Sequence, residues 1–293
     1  MTEFIQRSDG GLANQHLFYG VDVIVYTEGG SPHGSLAKAI SDGCDETHDS
    51  AFWAAIFRTL RPNLTSHVKS VGSKDVAKQI AARVHEAKIP NVAICVDRDF
   101  DEPWSPVTGE PPECRSWAYS WEGDISRTDL MEATFFRLRP PSVRAHQIFD
   151  DYLRWHAQFI ESLRNSVCRD KERVLAGSAG VFERENPRRC LAVRGNVAPA
   201  INEELLRQRA EGPLGNGQPV IPIEENEICP HRNCFGKVLM IANYHALIFF
   251  AQKLKKGRID FDTFLNIAIS AIGDVCVPGT ELFDYYNAQI TIH

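Results

Sequence analysis

The chain has 293 residues, of which 43% are hydrophobic and 24% charged, so it can bury a sizeable core and does not have the composition of a disordered protein. The net charge of −6 argues against a protein that coats nucleic acid through bulk electrostatics. The start shows no apolar run behind basic residues, and the eight cysteines are scattered. We therefore expect a cytoplasmic protein with reduced thiols.

The first half of the chain alternates between short apolar runs and amphipathic runs. Strands are predicted at 21–27, 67–71, 91–96 and 117–121, and helices at 49–60, 74–88 and 129–138. The intervening 31–47 is predicted to be a loop or a short helix, and the proline-rich 102–115 is predicted to be a loop. This alternation predicts an α/β fold, an open, mainly parallel sheet flanked by helices, in a domain that we place at residues 1–139.

The remainder, residues 140–293, is predicted to form a mainly helical domain. Helices are expected at 143–165, 235–256 and 261–272. Residues 176–235 are expected to be irregular apart from a short helix near 199–210. The most apolar stretch, Val238–Ala251, is shorter than a membrane span and contains Asn243 and His245. It therefore indicates a buried core helix, and no membrane contact is expected.

The segment 137–209 is rich in arginine. It carries fourteen basic and nine acidic residues, and thirteen of the basic residues are arginine. Guanidinium groups match phosphate oxygens, so this segment could contact a nucleic acid substrate or a partner protein. A solvated helix face with internal ion pairs explains the same composition.

Three carboxylates alternate directly after the predicted strand 91–96, at Asp97, Asp99 and Asp101. If the extended conformation continues, their side chains lie on one side of the chain. Clustered carboxylates repel one another unless a cation neutralises them, and hard oxygen ligands suit Mg²⁺ or Mn²⁺. An acidic loop without a metal is the alternative.

Glu28 supports the metal hypothesis because it also follows a predicted strand. The carboxyl ends of parallel strands collect at one edge of a sheet, where ligand sites form. Glu28 would be a ligand or a general acid or base. Asp49, at a predicted helix start, is a further ligand or an N-cap. Glu122, at the end of the predicted strand 117–121, is expected at the same edge.

Two lysines are candidates for substrate binding. Lys74 begins a predicted helix, whose N-terminus can receive a phosphate, and Lys237 begins another. The close group Cys229, His231 and Cys234 contains zinc ligand types but lacks the second pair of a typical zinc motif.

Together these segments resemble the TOPRIM domain of topoisomerases, primases and overcoming-lysogenization-defect nucleases. The likeness is closer to the TOPRIM-like nucleases found beside ABC-type ATPases in bacterial defence loci, such as the PARIS anti-phage system. It is carried by Tyr26-Thr-Glu-Gly29, Asp49-x-x-Phe-Trp53, Val96-Asp-Arg-Asp-Phe-Asp101, Tyr119-Ser-Trp-Glu122 and Gly236-Lys-Val-Leu239.

The resemblance implies a Mg²⁺-dependent endonuclease that acts as a toxin in anti-phage defence. It implies that the active form is a homodimer and that the substrate is RNA, tRNA in particular. It also implies that an ABC-type ATPase keeps the nuclease inactive until phage is sensed. Two alternatives remain at this stage. One is a catalytically silent, TOPRIM-like regulatory subunit of an ATPase complex, and the other is a phosphoryl-transfer enzyme or receiver-like domain.

Overall fold

The computed structural model describes residues 9–30, 36–42, 46–101, 113–213, 222–255, 257 and 259–290. The chain divides into two compact units. Unit one comprises residues 1–98, 102–117 and 269–293, and unit two comprises residues 99–101 and 118–268. The domain boundary near residue 139 stays a prediction.

The helices follow one another along both units. In chain order they are α1 (Asp9–Ala13), α2 (Gln15–Tyr19), α3 (Leu36–Asp42), α4 (His48–Leu60), α5 (Lys74–Glu86), α6 (Trp121–Ile125), α7 (Thr128–Leu138), α8 (Val143–Ser162), α9 (Arg164–Leu175), α10 (Glu203–Glu211), α11 (Pro230–Asn233), α12 (Gly236–Gln252), α13 (Phe261–Ser270), α14 (Ile272–Val275) and α15 (Glu281–Gln289). Short 3₁₀ helices lie at Pro187–Cys190 and Glu225–Glu227. Among the described residues, no helix combines the length and apolar character needed to cross a bilayer.

Unit one is built on a sheet of four parallel strands. These are β1 (Val23–Thr27), β2 (Ser66–Ser70), β3 (Val92–Val96) and β4 (Cys114–Arg115), in the order β2-β1-β3-β4. Thr27, the last residue of β1, pairs with Ser70 of β2 and Cys95 of β3, so the three strands end at one edge. The predicted parallel sheet flanked by helices is confirmed.

Local capping explains where the helices of unit one begin. The side chain of Thr47 accepts a hydrogen bond from the N–H of Ser50 at the start of α4, and Ser50 reciprocates. Ser73 accepts from the N–H of Val76 at the start of α5. The predicted helices 49–60 and 74–88 are confirmed as α4 and α5.

The predicted strand at 117–121 is wrong. The fourth strand is β4, within the segment predicted as a loop, of which residues 102–112 lie outside the described residues. The N–H of Ala118 donates to Asp124 Oδ1 at 2.6 Å, and the N–H of Gly123 donates to the Ser120 carbonyl at 2.9 Å. These local bonds favour a turn and the short helix α6 over a strand. Glu122 is therefore a helix residue and does not end a strand.

Unit two is mainly helical and also contains a two-stranded antiparallel pair, β5 (Leu191–Ala192) and β6 (Ala200–Ile201). Its centre is α12, whose Asn243 is fully buried and accepts a hydrogen bond from the Tyr152 hydroxyl of α8 at 2.6 Å. The predicted core helix at Val238–Ala251 is thus confirmed. The helix predicted at 143–165 is confirmed as α8, but it ends three residues earlier, at Ser162, and α9 begins at Arg164.

Candidate functional site

Glu28 and Asp97 lie at the same edge of the sheet in unit one. Glu28 directly follows β1 and Asp97 directly follows β3, and these are neighbouring parallel strands with Thr27 paired to Cys95. Both carboxylates are half-buried. The expectation that these two residues converge at one sheet edge is supported by the register.

Asp49 packs against the backbone that follows Glu28. It is 6% exposed and stands in the first turn of α4. A Cβ added to Gly29 would lie 2.7 Å from Asp49 Cβ, so a glycine is required for this close approach. The N-cap of α4 is Thr47, so the alternative role of Asp49 as N-cap is wrong.

Asp49 also influences the ionisation of a residue on strand β3. Burial raises the pKa of the Cys95 thiol, and neighbouring Cys114 and Asp49 raise it further. The carboxylate of Asp49 thus acts electrostatically on Cys95 of β3, two residues before Asp97. Unit one brings Glu28, Asp49 and Asp97 to one edge.

Lys74 lies at this edge as well. It is the first residue of α5, which follows β2, and its Nζ is 3.4 Å from the carbonyl oxygen of Arg98. The lysine is half-buried and adjoins the loop that begins at Asp97. A helix N-terminus with an ammonium group beside it suits a phosphate group.

The side chains of Asp97, Asp99 and Asp101 do not lie along one face of an extended strand. Strand β3 ends at Val96, and Asp99 has a left-handed backbone with a φ of 54°. The N–H of Arg98 donates to the Ser116 side chain at 2.9 Å, and the N–H of Asp99 donates to the Tyr119 carbonyl at 2.7 Å. These bonds turn the chain after β3, so the expected alternation of side chains is wrong.

In unit two, Asp99 and Lys237 both act electrostatically on Glu122. Glu122 is 4% exposed on α6. Burial raises the pKa of its carboxyl group and nearby Asp99 raises it further, whereas the Ser120 hydroxyl and Lys237 lower it. Lys237 is exposed at the start of α12. Asp101 is half-buried in the turn after Asp99.

The cysteines and histidine of the possible zinc motif differ in their surroundings. Cys229 is exposed and Cys234 is fully buried. His231 Nε2 is 3.0 Å from the Gly123 carbonyl oxygen. Among the residues that the structure describes, no three His, Cys, Asp or Glu side chains are grouped to hold a metal ion as they stand. Metal binding, by zinc or magnesium, remains a prediction.

Most arginines of the segment 137–209 are engaged within unit two. Ion pairs link Arg154 to Asp151, Arg164 to Glu161, Arg169 to Glu172, Arg184 to Asp170, Arg189 to Glu183, and Arg207 to Glu204 and Glu211. Backbone carbonyls accept hydrogen bonds from four further arginines, Arg139, Arg144, Arg173 and Arg209. This pattern favours internal ion pairing as the main reason for the composition.

A scan against protein-family models and a search of curated proteins found no match to this chain. The fold and the two groups of side chains therefore carry the functional argument. They define an α/β protein with carboxylates and a lysine at the carboxyl edge of a parallel sheet.

Proposed function

We propose that this chain is a Mg²⁺-dependent phosphodiesterase that cleaves nucleic acid, with its metal site at the sheet edge of unit one. The observation that carries the proposal is the position of Glu28 and Asp97 at the ends of paired parallel strands. Asp49, packed on Gly29, adds a third carboxylate at that edge. Oxygen donors of this type fit Mg²⁺ or Mn²⁺.

The residues at this edge have separable roles in the proposed reaction. Glu28, Asp49 and Asp97 would hold the cation, which supplies charge stabilisation to the phosphoryl oxygens and lowers the pKa of a water nucleophile. Lys74 and the N-terminus of α5 would bind and orient a substrate phosphate. The roles of Asp99, Asp101 and Glu122 as further ligands, and of Lys237 in substrate binding, stay predictions.

The resemblance to TOPRIM-like defence nucleases extends the proposal to substrate and partners. It favours RNA, tRNA in particular, as the substrate and a homodimer as the active form. It also favours an ABC-type ATPase as the controlling partner of a cytoplasmic toxin that acts in anti-phage defence.

The proposal is tested by incubating the purified chain with total cellular RNA and with plasmid DNA, in Mg²⁺, Mn²⁺ or EDTA. We expect metal-dependent cutting that falls about a hundred-fold or more in Glu28→Gln and in Asp97→Asn, because each removes a charge that stabilises the transition state. The matched control is Glu86→Gln, exposed at the far end of α5, which should cut like the wild type.

Each outcome has a distinct meaning. Cutting that survives both Glu28→Gln and Asp97→Asn contradicts the proposed site. Absence of cutting, even when the ATPase partner is co-expressed, contradicts a nuclease and favours the silent regulatory subunit. The nucleic acid that is cut decides between RNA and DNA.

A further inference from the structure

Arg184 lies outside the groups of site residues described above, yet it contacts the aromatic residues beside them. The centre of its guanidinium group is 4.3 Å from the centroid of the Phe235 ring and 5.7 Å from that of Tyr119. A cation within about 6 Å of an aromatic ring is attracted by the electron density of its face. Phe235 precedes Gly236 and Lys237, and Tyr119 precedes Ser120 by one residue.

The aromatic cluster, Phe100, Tyr119 and Phe235, extends this contact to the acidic loop. The Tyr119 ring lies edge-on to both others, with centroids 4.9 Å from Phe100 and 5.8 Å from Phe235. Phe100 is the residue between Asp99 and Asp101. The Tyr119 carbonyl accepts the hydrogen bond from Asp99 N–H at 2.7 Å. The three rings thus anchor the segments that carry Asp99, Glu122 and Lys237.

Asp170 holds the guanidinium group of Arg184 through an ion pair. This carboxylate is fully buried on α9, and its Oδ2 accepts a hydrogen bond from Arg184 at 2.6 Å. Its Oδ1 accepts from the N–H of Phe182 at 3.0 Å. A Cβ at Gly180 would lie only 2.4 Å from that oxygen, so a glycine is needed beside the pair. A charge-assisted bond to a buried acceptor holds an arginine in one orientation.

We propose that Arg184, held by Asp170, is a positioning residue that sets the placement of the Asp99–Asp101 loop through the aromatic cluster. The inference deepens the proposed function and rests on it for any effect on catalysis, but its structural content is independent of activity. Arg184 touches Tyr119 and Phe235 on one side and Asp170 on the other, so its loss loosens the carbonyl to which Asp99 is bonded.

The experiment compares the full chain with Arg184→Met, Arg184→Lys and Arg189→Met. Hydrogen–deuterium exchange is measured at the Asp99 amide, and the affinity for Mn²⁺ alone is measured by electron paramagnetic resonance. We expect Arg184→Met to speed exchange of Asp99 about ten-fold, the equivalent of one partly desolvated cation–π contact. If Asp99 is also a metal ligand, Mn²⁺ affinity falls about ten-fold, as for other residues that support metal ligands.

The other two variants separate positioning from general stability. Arg184→Lys keeps the charge but lacks the planar guanidinium group, so its exchange rate at Asp99 should lie between those of the wild type and Arg184→Met. Arg189, five residues further on, pairs with Glu183 at an exposed position, so Arg189→Met should behave like the wild type.

Two results would overturn the proposal. One is unchanged exchange of Asp99 in folded Arg184→Met, and the other is faster exchange by the same factor throughout unit two, including the centre of α12. If Arg184→Met does not fold, Arg184→Lys and Asp170→Asn decide by the same criterion. A wild-type chain that binds no Mn²⁺ counts against the proposed metal site, whereas the exchange of Asp99 still tests Arg184.

Discussion

Among the described glycines of unit two, Gly236 is the one at which an added Cβ has the least room. A Cβ there would lie 2.1 Å from Ser120 Oγ and 2.8 Å from the backbone nitrogen of Gly123. The first turn of α12, which carries Lys237, can therefore approach the segment around Glu122 only because this position has no side chain. The Gly-Lys pair at the start of α12 has a packing requirement as well as a charge.

We predict that Gly236→Ala lowers the free energy of unfolding by about 1–3 kcal/mol, the usual cost of forcing a group into a filled core. The measurement is urea unfolding followed by tryptophan fluorescence. Gly195→Ala is the matched control, because a Cβ at Gly195 meets no atom within 4 Å. It should change stability by less than about 0.5 kcal/mol. Equal effects of the two substitutions would contradict the packing argument.

Single residues also show why part of the site could not be predicted. Glu28 and Asp97 follow apolar strand patterns that are legible in the sequence, and their placement is as expected. Glu122 follows an alternation of aromatic residues that is typical of a strand. Hydrogen bonds that the Asp124 carboxylate and the Ser120 carbonyl accept favour a helix there, and such local competition has no periodic signature in the sequence.

At the scale of elements, the strands and helices with strong periodicity were predicted to within a few residues. The central strands β1 and β3 are rich in β-branched residues and each is followed directly by a carboxylate, and α5 has a clear apolar face. The two-residue β4 lacks any such pattern, because its pairing with β3 depends on position rather than on composition. The break between α8 and α9 likewise interrupts a continuous helical pattern.

The arginine-rich segment now yields a narrower hypothesis about substrate contact. Arg188 and Arg194 are exposed and flank β5, and within the part of the chain that the structure describes neither side chain donates to a carboxylate or a carbonyl. Arg207, by contrast, pairs with Glu204 and with Glu211. If this segment binds a polyanion, Arg188 and Arg194 are among its available charges.

We predict that the double substitution Arg188→Gln and Arg194→Gln weakens binding of single-stranded RNA in EDTA and lowers the slope of log affinity against log salt by about two. Fluorescence anisotropy over a NaCl series provides the measurement. Arg207→Gln removes an arginine whose charge is already balanced, so it should leave affinity and slope nearly unchanged. An equal loss in both proteins, or in neither, would contradict a specific role for Arg188 and Arg194.

At the scale of the whole molecule, the end of the chain completes unit one. Tyr286 of α15 is fully buried, and its ring lies 5.6 Å from the Trp53 ring, edge-on. Its hydroxyl accepts a hydrogen bond from the N–H of Trp117 at 3.2 Å. The helical pattern of the sequence places residues 269–293 with the predicted helical domain. An apolar helix face indicates that a helix is covered, but it does not indicate which core covers it.

A fragment of residues 1–139 is therefore expected to lack a stable fold, since Phe52 and Trp53, both fully buried in the complete chain, lose the cover of α15. In the complete chain, Tyr286→Ala should lower the free energy of unfolding by about 3–5 kcal/mol, as large-to-small core substitutions do. Exposed Asp284→Ala on the same helix should cost less than about 1 kcal/mol.

Circular dichroism and tryptophan fluorescence during urea unfolding distinguish a domain boundary near residue 139 from a unit one that includes residues 269–293. If the last residues complete unit one, the fragment 1–139 gives no cooperative transition, and adding residues 269–293 as a separate peptide restores part of it. A fragment that unfolds cooperatively by itself, with buried tryptophan emission, would instead establish the boundary near 139. It would also leave the cost of Tyr286→Ala without its present explanation, because the cover that α15 gives to Trp53 would then be dispensable.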